Sequence, residues 1–151
     1  MISRSERVFI PLIVGVLTFL VNFSVLTYIF SAFPWIVNLF FGKGSWWVYQ
    51  PFNVKVFYVV GIAPVVEEII HRRIVLQFFL SRNLLIFGLV VSSLTFGIHH
   101  VIFGWGWLKA VDMFFVGLVF GIIYTKYKLL GSWLSHFSNN LMSILFTILM
   151  S

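Results

Sequence analysis

Three separate apolar runs of this chain each contain side chains that are costly in an apolar setting. Glu67 and Glu68 are adjacent in one run, with Arg72 four residues after Glu68. Phe96 and His100 stand in a second run, and His136, Asn139 and Asn140 in a third. An ionisable group at the centre of a bilayer costs about 2.5–3.5 kcal/mol or more, and lipid offers it no hydrogen-bond partner, so such groups turn inward and meet one another. A desolvated carboxylate is a stronger proton acceptor than a hydrated one, which suits a general base. A histidine facing it helps activate one water molecule, while a second histidine and an Asn amide supply donors to a developing oxyanion. The set describes acyl transfer to water without a nucleophilic side chain. No Gly-x-Ser-x-Gly elbow or His-Glu-x-x-His zinc helix is present, and the absence of cysteine excludes disulfides, thiolate metal sites and a Cys nucleophile.

Helical spacing assigns faces to these groups. Glu68 and Arg72, at i,i+4, can form an ion pair along one helix, with Glu67 turned about 100° away. His71 stands at i,i+4 from Glu67 and is expected to pair with it in a supporting role. His136 and Asn140 share one face one turn apart, and Phe96 lies beneath His100 in the same way. His99 is expected to point to another face as a bystander, Asn139 to make a packing contact, and Asp112 to sit at the membrane interface. Pro64 has no amide hydrogen, so it frees the carbonyl of Val60 and loosens the helix just before Glu67.

The elements that must position these groups follow from composition. Of 151 residues, 61% are apolar and only 9% charged, and mean hydropathy is +1.07, far from the values of a water-soluble domain. Fully helical, the chain would extend roughly 225 Å, enough for about five crossings of a hydrocarbon core ~30 Å thick once loops are allowed. The expected fold class is all-α: one integral membrane domain over 1–151, a polytopic transmembrane helical bundle. Span 1 is expected over 8–30, an interfacial loop over 31–53, and a motif-bearing core over 54–141 continuing in the last span to 150. The loop carries Pro34, Trp35, Trp46, Trp47, Tyr49 and Pro51, a headgroup-region composition, with 34–41 too short to cross. Span 2 is read over 54–79, span 3 over 84–103, span 4 over 108–124 and span 5 over 130–150. Period-two alternation is absent, so a β-barrel is not expected.

Charge sets the orientation. With the N-terminus in the cytoplasm, Arg4, Arg7, Arg73, Arg82, Lys126 and Lys128 fall inside and Lys43, Lys55 and Lys109 outside. The positive-inside rule then favours N-in and C-out, in a plasma membrane, most simply that of a prokaryote. The formal charge of +6 is scattered as loop punctuation and forms no basic stripe, so no nucleic-acid partner is expected. Upright helices put Glu67 about 22 Å above the turn at Arg82 and His136 only about 14 Å above the turn near Tyr127. Convergence of the three clusters therefore requires departures from ideal geometry.

At these residues the chain resembles the CAAX protease and bacteriocin-processing family, the abortive-infection-type proteases. The first motif, E-E-x-x-x-R, is matched by Glu67 to Arg72 after Ala63-Pro64. The second, F-x-x-x-H, is matched by Phe96 to His100, and the third, H-x-x-x-N, by His136 to Asn140. The resemblance covers about 61–141 and implies a glutamate-dependent intramembrane endopeptidase, cutting a peptide bond near the cytoplasmic side. By resemblance Glu67 is the general base, His100 its partner on the attacking water, and His136 and Asn140 stabilise the oxyanion. Glu68 and Arg72 hold the site together, supported by His71 and Phe96. The family commonly has an aromatic residue before the Arg and Gly after it, where this chain has His71 and Arg73. Expected partners are the lipid bilayer and a membrane-associated peptide or protein, prenylated if the eukaryotic branch is the guide, or a bacteriocin or pheromone peptide if the bacterial members are. No cofactor is expected. The alternatives are a zinc-dependent protease with Glu67, His100 and His136 as ligands, a non-enzymatic bacteriocin-immunity or scaffold protein, and a transporter, which would call for repeated broken helices.

Overall fold

The computed structural model describes residues 3–42 and 49–150. Lys43, Trp46 and Trp47, assigned above to the outer loop, lie outside the described residues. Helix α1 (Glu6–Ala32) begins where Ser3 and Glu6 cap each other: the Ser3 amide donates to Glu6 Oε2 at 2.7 Å, and the Glu6 amide to Ser3 Oγ at 3.1 Å. A single 3-10 turn (Pro34–Ile36) and the short α2 (Val37–Phe41) follow. The amide of Gly106 donates to the carbonyl of Phe40 at 2.9 Å. This ties α2 to the turn at 104–106.

Helix α3 runs over 52–80 and changes its winding along the way. Ordinary α turns (Phe52–Val56, Ala63–Glu68, Gln77–Leu80) alternate with wider π turns at Phe57–Ile62 and Ile69–Leu76. The π stretches bracket the two glutamates, the setting in which such bulges often mark functional positions. Being wider and flatter, the second stretch shortens α3 between Glu67 and Arg82. That closes part of the height difference between Glu67 and His136 expected from ideal helices.

Helix α4 (Leu85–Ile102) leads through Gly104–Gly106 into α5 (Trp107–Leu149). Lys128 has φ 59° and ψ −160°, non-helical values inside α5. The chain reverses there. Sixteen positions separate Phe120 and His136, roughly 24 Å along a straight helix, yet their ring centroids are 5.1 Å apart. So α5 is a hairpin with a first arm at 107–127 and a second at 129–149, each roughly 30 Å long.

Small residues set the packing, as they do where apolar surface alone cannot drive helix association. The second arm of α5 packs on α1, where Ser135 Oγ donates to the Pro11 carbonyl at 2.8 Å and Ser138 Oγ to the Leu12 carbonyl at 3.0 Å. A Cβ on Gly15 would collide with that Ser135 backbone. The first arm packs on α4, where a Cβ on Gly97 would meet the carbonyl of Ala110. Phe96, Met113, Val116 and Phe120 form the apolar core between them.

The architecture is all-helical, with no strand among the described residues. Among the described residues three helices are long and apolar enough to cross a membrane, α1, α4 and α5. This is fewer than the five segments read from the sequence because α5 contains two of them, and because α3 carries Lys55, Glu67, Glu68, Arg72 and Arg73. Many large apolar side chains face outward, Phe9, Val21, Ile86 and Phe115 among them, as expected of a lipid-facing surface.

Candidate active site

Glu68 and Arg72 are fully buried and form an ion pair, Arg72 Nε to Glu68 Oε2 at 3.4 Å. Arg72 also donates from a terminal guanidinium nitrogen to Ser92 Oγ at 2.7 Å, and that hydroxyl donates onward to the His71 carbonyl at 2.7 Å. The guanidinium lies 5.0 Å from the centre of the Phe96 ring. Glu68 Oε1 accepts from His136 Nδ1 at 3.1 Å. One buried carboxylate thus joins α3 to the second arm of α5, while Arg72 joins α3 to α4. A buried ion pair is weak evidence for stability but strong evidence for a fixed geometry here, since each partner depends on the other.

Glu67 shares His136 with Glu68 but is otherwise differently placed. Its side chain is 12% exposed and reaches a cavity. Oε2 lies 3.7 Å from His136 Nε2, and Oε1 lies 3.9 Å from His99 Nε2. Both separations exceed a direct hydrogen bond and suit a bridging water. The same cavity, about 480 Å³, is lined by Glu67, His99, His100, His136, Asn139 and Asn140. All four groups read as catalytic from the sequence therefore border one space.

Within that space the partners differ from those expected. His100 donates from Nδ1 to the Phe96 carbonyl at 2.9 Å and rests edge-on against the Phe96 ring. Among the described residues the imidazoles within 4 Å of Glu67 belong to His99 and His136. His99 was expected on another face, and its contact with Glu67 corrects that. His71 does not pair with Glu67 either: its Nδ1 lies 3.0 Å from Thr95 Oγ1 and its Nε2 3.4 Å from His99 Nδ1. The wide π turn containing His71 abolishes the i,i+4 alignment assumed for it. A usable sign lay in the sequence, since Thr95 and His99 are themselves i,i+4 and form a polar stripe with Ser92 on α4.

Asn140 Nδ2 donates to the Val59 carbonyl at 2.9 Å, and Asn140 Oδ1 accepts from Asn139 Nδ2 at 3.1 Å. Both ends of the amide are oriented, and its second Nδ2 hydrogen remains to be given. Pro64 explains why Val59 is available. The Ala63 amide bonds five residues back to Tyr58; the next amide in that register belongs to Pro64, which has none. In this register the carbonyl left without an amide is Val59. Asp112 is paired with Lys109 at 2.7 Å, and the Lys109 ammonium sits 4.8 Å from the centre of the Phe40 ring.

The cavity extends from Glu67 toward Phe40, Phe41, Phe103, Trp105 and Lys109. That end of the bundle is opposite the one holding Arg82, Lys126 and Lys128. On the N-in reading it is the outer end. Among the described residues no group of three or more His, Asp or Glu side chains is arranged to hold a metal ion; the set Glu67, His100 and His136 is not so arranged.

Comparison with known proteins adds one finding. Residues 49–142 match the family model described as type II CAAX prenyl endopeptidase Rce1-like. No curated protein and no solved structure matches the chain.

Proposed function

The chain belongs to the Rce1-like family of type II CAAX prenyl endopeptidases, and from that premise we propose that it hydrolyses a peptide bond in a membrane-associated substrate with a water activated by Glu67. The observation that carries this reading is the position of Glu67, a carboxylate at a cavity wall with an imidazole nitrogen on either side at 3.7 and 3.9 Å. Glu68, one residue away, suits the base role less well, being fully buried and ion-paired with Arg72 and His136.

In the proposed reaction Glu67 takes one proton from water as the water oxygen adds to the scissile carbonyl carbon. The carbonyl oxygen becomes the oxyanion. The proton then passes from Glu67 to the amide nitrogen, the C–N bond breaks, and carboxyl and amine products leave. Glu67, Glu68, Arg72 and His136 sum to zero charge when His136 carries both ring hydrogens. His136 then donates Nδ1–H to Glu68 and presents Nε2–H to the cavity, beside the second amide hydrogen of Asn140. These two donors stabilise the oxyanion, an arrangement effective where water is excluded. An imidazole of α4 accepts a hydrogen bond from the second hydrogen of the attacking water, which stays on oxygen; His100, at the motif position, offers a bare Nε2 because its Nδ1–H is given to Phe96.

We take α3 and the two arms of α5 as crossings alongside α1 and α4, which gives five, N-in and C-out. The cationic end then lies in the cytoplasm, and substrate enters from the outer half of the membrane. This favours an exported or outer-leaflet peptide over a cytoplasmic protein. The test is cleavage by purified protein in liposomes of a peptide panel made with and without a farnesyl group. Turnover of any member supports the reading and defines the need for the lipid; no turnover of any member contradicts it.

A further inference from the structure

The histidines the motifs do not use, His71 and His99, form a directed chain that ends on Glu67. The Thr95 hydroxyl has one hydrogen, and it is given to the Ser92 carbonyl at 2.9 Å. Thr95 Oγ1 is therefore the acceptor in its 3.0 Å contact with His71 Nδ1, which must carry the hydrogen. A neutral His71 then has a bare Nε2, so at 3.4 Å the donor is His99 Nδ1. The same step along the ring leaves His99 Nε2 bare, 3.9 Å from Glu67 Oε1. With both rings neutral, one arrangement of hydrogens satisfies the three hydrogen bonds of the chain, and it aims a lone pair at a carboxylate.

Two acceptors facing each other at that distance repel unless something donates to both. A single water does so, giving one hydrogen to Glu67 and the other to His99. His100 has no such relation to Glu67 in the contacts above. The His99 ring is held in place by stacking on Phe103, centroids 4.6 Å apart at 14°, and by the edge of His71 at 5.2 Å.

We propose that His99, not His100, accepts a hydrogen bond from the second hydrogen of the attacking water, and that His71 is a positioning residue that fixes the His99 tautomer through Thr95. This rests on the hydrolytic reading above and narrows it. The reaction balance is unchanged: one water hydrogen goes to Glu67 and on to the leaving amine, and the other stays on oxygen while hydrogen-bonded to His99.

The test joins kinetics to spectroscopy on the full chain in lipid nanodiscs. With histidine labelled by ¹⁵N, wild type should show His99 Nδ1 protonated and Nε2 unprotonated, and His71→Phe should abolish that fixed assignment. His99→Phe should lower kcat about 100-fold with little change in KM. His71→Phe should lower it about tenfold, the size of one hydrogen bond, and His99→Gln, which keeps an acceptor, should recover part of the loss. Full activity in His99→Phe alongside an inactive Glu67→Gln would overturn this proposal and spare the hydrolytic reading. A protonated Nε2 on His99 in the wild type would overturn it as well. Full activity in Glu67→Gln would overturn both.

Discussion

The side-chain amide of Asn140 donates to the main-chain carbonyl of Val59 across 2.9 Å, joining the second arm of α5 to α3. The contact exists because Pro64 supplies no amide to that carbonyl in the five-residue register of the π turn. Pro64→Ala restores the amide and makes it compete with Asn140. We expect kcat to fall about tenfold, the scale of one oriented hydrogen bond, with a melting temperature no lower than that of wild type. Steady-state kinetics and thermal melting followed by circular dichroism measure both. An unchanged kcat would show that orientation of the Asn140 amide has no bearing on turnover.

Arg72 is expected to matter for folding more than for chemistry. Arg72→Met leaves Glu68 buried without its guanidinium partner and should cost about 3–5 kcal/mol. The double variant Arg72→Met with Glu68→Gln should recover much of that loss, because no unpaired charge remains. Titration with SDS in mixed micelles would measure the three stabilities. Equal destabilisation of single and double variants would argue against the charge as the cause.

Gly15 should tolerate no larger residue. In Gly15→Val the new side chain meets the Ser135 carbonyl and the Ser138 hydroxyl, so α1 must move off the second arm of α5. Overpacking of this kind costs about 1–3 kcal/mol or more. Because His136 follows Ser135 directly, activity should fall together with stability. Limited proteolysis and turnover, measured on the same preparation, would show the two losses in parallel.

The chain lacks cysteine, so single cysteines report the orientation of the cavity without a background. Trp107, 72% exposed, stands at the cavity end and Lys128 at the cationic end. On intact cells a membrane-impermeant maleimide should label Trp107→Cys, and Lys128→Cys only after permeabilisation. The opposite pattern would put the cavity mouth in the cytoplasm and favour a cytoplasmic substrate.

Much of this arrangement could be read from the residues. The apolar segments 8–30 and 84–103 correspond to α1 (Glu6–Ala32) and α4 (Leu85–Ile102), because long charge-free runs have no alternative to a helix in lipid. Lys126 and Lys128 marked the reversal of α5. The three polar clusters meet, as the cost of leaving each alone in lipid requires. What periodicity could not supply was the winding of α3. A 3.6-residue repeat assigns faces only to α turns, and the two π stretches rotated His71 away from Glu67 and freed the carbonyl of Val59. His99 was missed for a related reason. Adjacent residues were placed on different faces, whereas at the end of α4 both His99 and His100 reach the same cavity.

The most direct measurement is turnover of a cleavable peptide by Glu67→Gln beside wild type, with both proteins shown to be folded by circular dichroism and monodisperse in the same detergent. The amide keeps the shape and loses the proton-accepting charge. We expect turnover to fall by about a thousandfold or more, in the range of a lost general base, while peptide binding persists. Undiminished turnover in Glu67→Gln would mean that another group activates the water.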